Sequence, residues 1–211
     1  MQNIILPWAA KNGITITEAQ LNMLSLHQTC VLDANQHMNL TAITNPAEFA
    51  TKHIIDSLSV LPYVGDAKSL ADVGTGAGFP GLVLAIMQPD LQITLIDSLR
   101  KRVFFLQETI AKLGLANVTA IHTRAEDLAR QGKTFDICTA RAVAQMDKLA
   151  KWVLPLTARG GRFIAMKGPN VSDELAKAKP SLTKLGGVLK TVDVVEITPE
   201  IRHSIVVVRR N

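Results

Sequence analysis

The chain has 211 residues, 47% apolar, 19% charged and 4% aromatic, with a formal net charge of +5. That length buries a core without disulfides or structural metal, the composition excludes a disordered or collagen-like chain, and apolar runs such as Ile205 to Val208 fall far short of the ~20 residues of a membrane span. The charge is uneven: residues 1–60 carry 2 basic and 4 acidic side chains and residues 61–211 carry 21 and 14, a surplus that suits a polyanionic partner as well as it suits the solvated surface of an ordinary basic protein.

Met1 to Trp8 contain no basic segment or long apolar stretch, so no signal peptide is expected and the location reads as cytoplasmic. Cys30 and Cys138 make neither a disulfide framework nor a metal set, and no metal is expected. Thr17 with Gln20 has the capping-box spacing that opens a helix, carried by Leu21, Leu24, Gln28, Val31 and Leu32. A loop over 39–43 follows. Asn45, Pro46 and Glu48 then supply a cap, a first-turn proline and a first-turn acid for helix running past His53 and Asp56 to Leu61. Residues 1–65 thus read as a helical extension.

From Ser69 the pattern changes to short apolar strands alternating with amphipathic helices. Strands are predicted at 70–73, 92–97, 118–122, 135–140 and 162–167, and helices at 81–88, 98–112, 145–154 and 172–184. That order implies an α/β, Rossmann-like, doubly wound parallel sheet over 66–211. The last two strands, 188–195 and 203–210, have too short a connection for a crossover and must pair antiparallel. Seven strands, mostly parallel with an antiparallel terminal strand, resemble a class I AdoMet-dependent methyltransferase rather than a dehydrogenase domain.

The sharpest motif is Asp72-Val73-Gly74-Thr75-Gly76-Ala77-Gly78-Phe79-Pro80-Gly81, a glycine-rich turn from strand to helix. Asp97 ends the next strand, placed to accept ribose hydroxyls. Gly76, Gly78 and Gly81 also satisfy the dehydrogenase G-x-G-x-x-G pattern. Two features favour AdoMet. Asp72 sits where a methionyl ammonium group could pair with it, and Pro80 brings no N–H to cradle a pyrophosphate. Ala125 and Glu126 follow the third strand, beside the place of an adenine. Arg141 ends the fourth strand.

The fourth-strand end has no Asn/Asp-Pro-Pro-aromatic tetrad and no Pro-Cys pair. Methylation of exocyclic amines and a covalent cysteine route are therefore disfavoured. An acceptor with its own lone pair, such as guanine N7, needs no general base, only alignment and exclusion of water. Arg141 or Lys167 is then expected at guanine O6 or a phosphate.

These residues resemble the bacterial 16S ribosomal RNA guanine-N7 methyltransferases, also called the glucose-inhibited division protein B family. The resemblance is carried by the segments 39–43, 53–58, 72–81 and 95–98, and by Lys101-Arg102-Val103, Phe105-Leu106, Arg124, Glu126-Asp127, Arg141-Ala142 and Lys167-Gly168. Ala77 and Phe79 stand where the family usually has Gly and Leu. The resemblance implies transfer from AdoMet to N7 of a guanosine in small-subunit ribosomal RNA, with cofactor contacts at Gly74, Phe79, Ala125, Glu126 and Arg141. The residues themselves add Asp72, Gly76, Gly78 and Asp97. His53 and Asp56 form either a helix–domain salt bridge or an RNA-facing pair. Asn39 is expected to fix its loop, Arg202 and His203 to meet RNA, and Phe79 and Trp152 to meet the target base. The partner is 16S ribosomal RNA or the small subunit, with no membrane, and the chain is expected to be a monomer. An NAD-type oxidoreductase and a non-catalytic RNA-binding protein are the competing readings.

Overall fold

The computed structural model describes residues 1–211. It opens with α1 (Gln2–Lys11) and α2 (Glu18–Met38). The capping box forms as read: Thr17 Oγ1 accepts from the Gln20 amide and the Gln20 side chain accepts from the Thr17 amide. The buried face of α2 is Leu21, Leu24, His27, Cys30 and Val31, so His27 takes the place the apolar spacing assigned to Gln28. Asn39 closes α2 in the left-handed region, at φ +50°. The amide that fixes the following loop belongs to Asn35, which bonds both the carbonyl and the amide of Thr41 at 2.9 Å. The loop-fixing role expected of Asn39 is corrected accordingly.

Asn45 caps the next segment by accepting from the amides of Ala47 and Glu48. That segment runs as α3 (Pro46–Phe49), a π-helical turn (Ala50–Ile55) and α4 (Asp56–Leu58). The alternating part follows as β1 (Ser69–Val73), α5 (Gly81–Met87), β2 (Gln92–Asp97), α6 (Arg100–Leu113), β3 (Val118–His122), α7 (Ala125–Arg130), β4 (Phe135–Arg141), α8 (Met146–Val153), β5 (Thr157–Lys167), α9 (Ser172–Lys184), β6 (Gly187–Thr198) and β7 (Ile201–Arg210). The sheet order is β3-β2-β1-β4-β5-β7-β6. β1 to β5 pair parallel, and β7 lies antiparallel to both β5 and β6. The terminal strand is thus wedged inside the sheet, and β6 forms its edge. No helix is long and apolar enough to cross a membrane.

Each face of the sheet has its own core. One joins Ile5, Leu24, Phe49, Ile54 and Leu58 of the N-terminal helices to α5, α6 and the sheet residues Leu95, Ile164 and Ile205. The other packs Leu128, Leu149, Val153 and Leu182 against Cys138, Phe163 and Val206. The N-terminal helices therefore cover one face of the sheet.

Their deepest joint with the glycine-rich turn is aromatic. The Phe79 ring lies between His53 (centroids 4.6 Å apart, 9° between planes) and His27 (4.7 Å, 28°), with Phe49 edge-on at 5.7 Å. His27 Nε2 donates to the Ala77 carbonyl at 2.9 Å, and His53 Nε2 donates to Thr41 Oγ1 at 2.8 Å. Burial pushes His27 down to about 4. Burial, then the Arg141 guanidinium, pushes His53 down to about 3. Both rings are neutral in the folded chain and take up protons near 6.5 when it unfolds. Stability is therefore complete above pH 6.5 and falls as the pH drops toward those lower values, by about 1.4 kcal/mol per pH unit for each histidine. Urea unfolding between pH 7.5 and 5 should show this slope, and His27→Gln should remove roughly half of it; an unchanged slope in the variant would contradict the burial of a neutral ring.

Candidate active site

The strand order reverses between β1 and β4, which opens a crevice at the carboxyl ends of the parallel strands. The glycine-rich turn forms its floor. Asp72 lies beneath that floor, fully buried. Its Oδ2 accepts from Thr75 Oγ1 (2.7 Å) and the Gly81 amide (2.9 Å), and its Oδ1 accepts from Thr139 Oγ1 (3.1 Å). Burial raises its pKa, while these donors work in the opposite sense. Asp72 lines neither cavity of the crevice, so the expected pairing with a methionyl ammonium group is corrected: its carboxylate ties the turn, the start of α5 and β4 together. Gly81 must be glycine there, because a Cβ would fall on Leu95 and 2.8 Å from Asp72 Oδ2. Gly78 is corrected likewise. It points at Leu82 and Leu106 and has no surface in the crevice.

A cleft of 970 Å³ occupies the crevice, with Gly74, Gly76, Phe79, Arg141, Lys167 and Trp152 in its walls. Gly74, Val143 and Trp152 also border an adjoining cavity of 260 Å³, lined further by Val73, Ile96, Asp97, Ser98, Ala125 and Glu126. Six of the expected cofactor residues, Gly74, Gly76, Asp97, Ala125, Glu126 and Arg141, are thus brought around a pair of adjoining cavities. Phe79 borders the cleft but is 3% exposed, stacked against His27 and His53 and with the Arg141 guanidinium over its ring. Too little of the ring is exposed for a base to stack on it, and that expected contact is corrected.

This space suits AdoMet. Gly76 has φ +58° and nothing within 4 Å of where a Cβ would stand, so its backbone fronts open space that a side chain would fill. Asp97 accepts from the Gly76 amide (3.0 Å) and the Leu99 amide (2.9 Å), with Arg102 Nη1 3.6 Å away. A carboxylate has about four lone-pair sites, so acceptor capacity remains for hydroxyl donors. The smaller cavity offers apolar walls to a flat ring, and the backbone of Ala125 and Glu126 offers an edge to it.

Arg141 leaves β4 and is held from the opposite side of the cleft. Its Nη1 donates to the Asp56 carboxylate (2.9 Å) and the Lys52 carbonyl (3.0 Å), its Nη2 donates to His53 Nδ1 (3.2 Å), and its guanidinium lies 5.2 Å from the Phe79 ring centroid. Asp56 also meets His203 Nδ1, whose Nε2 lies 3.2 Å from Ser59 Oγ. Burial opposes ionisation of Asp56, but His203 and Arg141 together hold its carboxyl below the usual range. Of the two readings of His53 and Asp56, the helix–domain salt bridge is the one formed. His203 is held within this network and borders the cleft; Arg202 is exposed and pairs with Glu196. Lys167 Nζ donates to Glu174 (2.6 Å) and the Ala144 carbonyl (2.5 Å). Cys138 is buried in β4 and its thiol is pushed up to about 12, so no thiolate is available.

Several lining groups escaped the sequence reading. Val143 packs where a Gly74 Cβ would lie, 2.7 Å from its Cγ2, on a turn begun by Ala142 at φ +53°. Nothing in Ala-Val announces such a turn. Thr41 and Lys148 also line the cleft; Lys148, four residues from the Ala144 that receives Lys167, was visible only as part of a basic cluster.

The chain matches the family described as GidB, rRNA small subunit methyltransferase G, over residues 20–205. Among curated relatives, ribosomal RNA small subunit methyltransferase G of Clostridium botulinum (strain Eklund 17B) is 45% identical over 204 residues, which is 94% of this chain and 85% of the relative. The protein of that name in Lactobacillus helveticus is 44% identical over 187 residues, 85% of this chain and 78% of the relative. Solved structures share the fold at lower identity. A SAM-dependent O-methyltransferase from Thermotoga maritima superposes with TM-score 0.56 at 15% identity, covering 86% of this chain and 71% of that one. A ribosomal protein L11 methylase from Lactobacillus delbrueckii gives 0.55 at 17%, covering 74% and 77%. With a seven-stranded methyltransferase sheet, a glycine-lined crevice at its reversal point and a family match across most of its length, the chain belongs to the rRNA small subunit methyltransferase G family, whose methyl donor is S-adenosylmethionine.

Proposed function

We propose that this chain methylates N7 of a guanosine in 16S ribosomal RNA of the small subunit. The carrying observation is that two cavities adjoin across Gly74, Val143 and Trp152, a small one beside Asp97 and Glu126 and a wide one beside Arg141 and Lys167. The small compartment suits the adenosine part of the donor, with Asp97 accepting from its ribose and Ala125 and Glu126 reading its base edge. The wide one has room for an acceptor base. Bound there, AdoMet supplies a methyl carbon activated by its sulfonium.

Guanine N7 presents a lone pair, so this chain need not remove a proton. Its residues have three tasks: to orient the base, to exclude water and to leave N7 unobstructed. Arg141 has Nε and a second Nη2 hydrogen not used by Lys52, Asp56 or His53. In this reading it donates to guanine O6, and the remaining Lys167 hydrogen serves O6 or a phosphate. The neutral state of His53 suits this assignment, since an imidazolium would repel the guanidinium that it accepts from. Residues 1–65 act as an extension of the methyltransferase unit 66–211 and supply the Arg141 anchor. The chain works as a cytoplasmic monomer.

Incubation with tritiated AdoMet and small subunits lacking the modification tests the assignment. Label is expected on one guanosine of the 16S RNA, and borohydride–aniline scission there identifies N7. Label on another atom, on protein or nowhere refutes it. Arg141→Lys keeps a cation for Asp56 but loses the planar fork. It should lower kcat/KM by roughly 10- to 150-fold, the worth of a hydrogen bond from a charged donor; activity within twofold of the unaltered enzyme removes Arg141 from the site.

A further inference from the structure

The cations nearest the reaction are largely neutralised within the protein. Arg141 pairs with Asp56, Lys167 with Glu174, and Arg102 leans toward Asp97. A polyanion must then be held by others. At the carboxyl end of the sheet four exposed cations have no acid within salt-bridge distance: Arg100 and Lys101 after β2, Arg124 after β3, and Lys148 after β4. Phe104 stands four residues from Arg100 and three from Lys101, on one face of α6. It is 61% exposed, and no other Phe, Tyr or Trp ring of the chain is exposed to that degree. Leu99 beside it is exposed as well, and the first acid on the helix is Glu108.

The strip adjoins the crevice. Gln107, one turn beyond Phe104, donates to the Ala120 carbonyl of β3, and His122 at the end of β3 lies 3.1 Å from the Ser98 carbonyl. Ser98 and Arg124 border the small cavity, Arg102 and Lys148 the wide one, whereas Arg100, Lys101 and Phe104 border neither. A single exposed ring is ordinary on a protein surface. A ring with two unpaired cations one turn before it, and Gln107 and the acid Glu108 one turn after it, is matched on its N-terminal side to a nucleic-acid strand: any base can stack on it, and Arg100 and Lys101 meet the adjacent phosphates. A protein partner would call for a broader apolar patch than Phe104 and Leu99 make.

We infer that the outer face of the first two turns of α6 docks an unpaired RNA segment next to the target guanosine, with one base stacked on Phe104 and its phosphates on Arg100 and Lys101. This rests on the rRNA reading above. The strip, not the catalytic cleft, then sets much of the affinity for RNA and its salt dependence.

The test measures binding and methylation of unmodified small subunits, and of their naked 16S RNA, against KCl concentration, with AdoMet affinity and Tm recorded for each variant. Phe104→Ala should weaken RNA binding about 5- to 150-fold, the range that stacking of one base confers. R100Q/K101Q should reduce the slope of log affinity against log salt by about 1.4 to 1.8, for two lost phosphate contacts. AdoMet affinity and Tm should not move in either variant. K68Q/R159Q, which removes two exposed cations from the groove at the opposite end of the sheet, should leave the slope near that of the unaltered chain. Phe104→Ala and R100Q/K101Q variants that bind and methylate as the unaltered chain does would overturn the strip while leaving the rRNA reading intact. A loss seen with subunits but not with naked RNA would overturn it in favour of a ribosomal-protein contact. An unaltered chain that methylates neither substrate would remove the rRNA reading and the strip together.

Discussion

The buried carboxylate of Asp72 is the constraint from which the site is built. A carboxylate without water must find donors, and here it finds Thr75 in the glycine-rich turn, the first amide of α5 and Thr139 of β4. Those three bonds hold the turn at one height above the sheet and align the start of α5 with the neighbouring strand. Asp97 does the same from β2 by taking the Gly76 amide. The crevice is therefore shaped by two acids that draw backbone toward them, and glycine is required where side chains would obstruct that approach, as at Gly81.

The fold was legible because its signals are local. Capping residues at Thr17 and Asn45, short apolar strands and a connection too brief for a crossover each announce themselves in a few consecutive residues. Gly74, Gly76, Asp97, Ala125 and Glu126 were legible for a related reason: strand ends in a doubly wound sheet deliver their following residues to the same crevice. Depth was not legible. Asp72, Gly78 and Phe79 lie within the motif as expected, yet each is turned away from the open space or covered. His27 was missed because nothing in its neighbours reveals that a ring 50 residues away donates to the Ala77 carbonyl. Asn35 in the last turn of α2 and Asn39 just past its end sit four residues apart, and only the path of the loop decides which amide meets Thr41.

The same distinction governs the charges. Counting Lys and Arg shows where a surplus lies along the chain, but not which cations are already satisfied. Arg141 and Lys167 look like free cations in the sequence and are among the most constrained side chains of the cleft, because partners at Asp56 and Glu174 arrive from other elements. Fixing a guanidinium in advance costs flexibility and brings precision: the donors it retains face a set direction before any acceptor enters.

The wedged position of β7 bears on how the molecule is made. β5 and β6 precede β7 in synthesis but do not touch each other in the sheet; each waits for the last strand to come between them. His203, which braces Asp56 and through it Arg141, arrives on that same strand. A nascent chain halted before β7 would hold the glycine-lined turn and all five parallel strands, but its arginine clamp would lack its brace. Synthesis thus delivers the donor pocket first and completes the acceptor side with the closing strand.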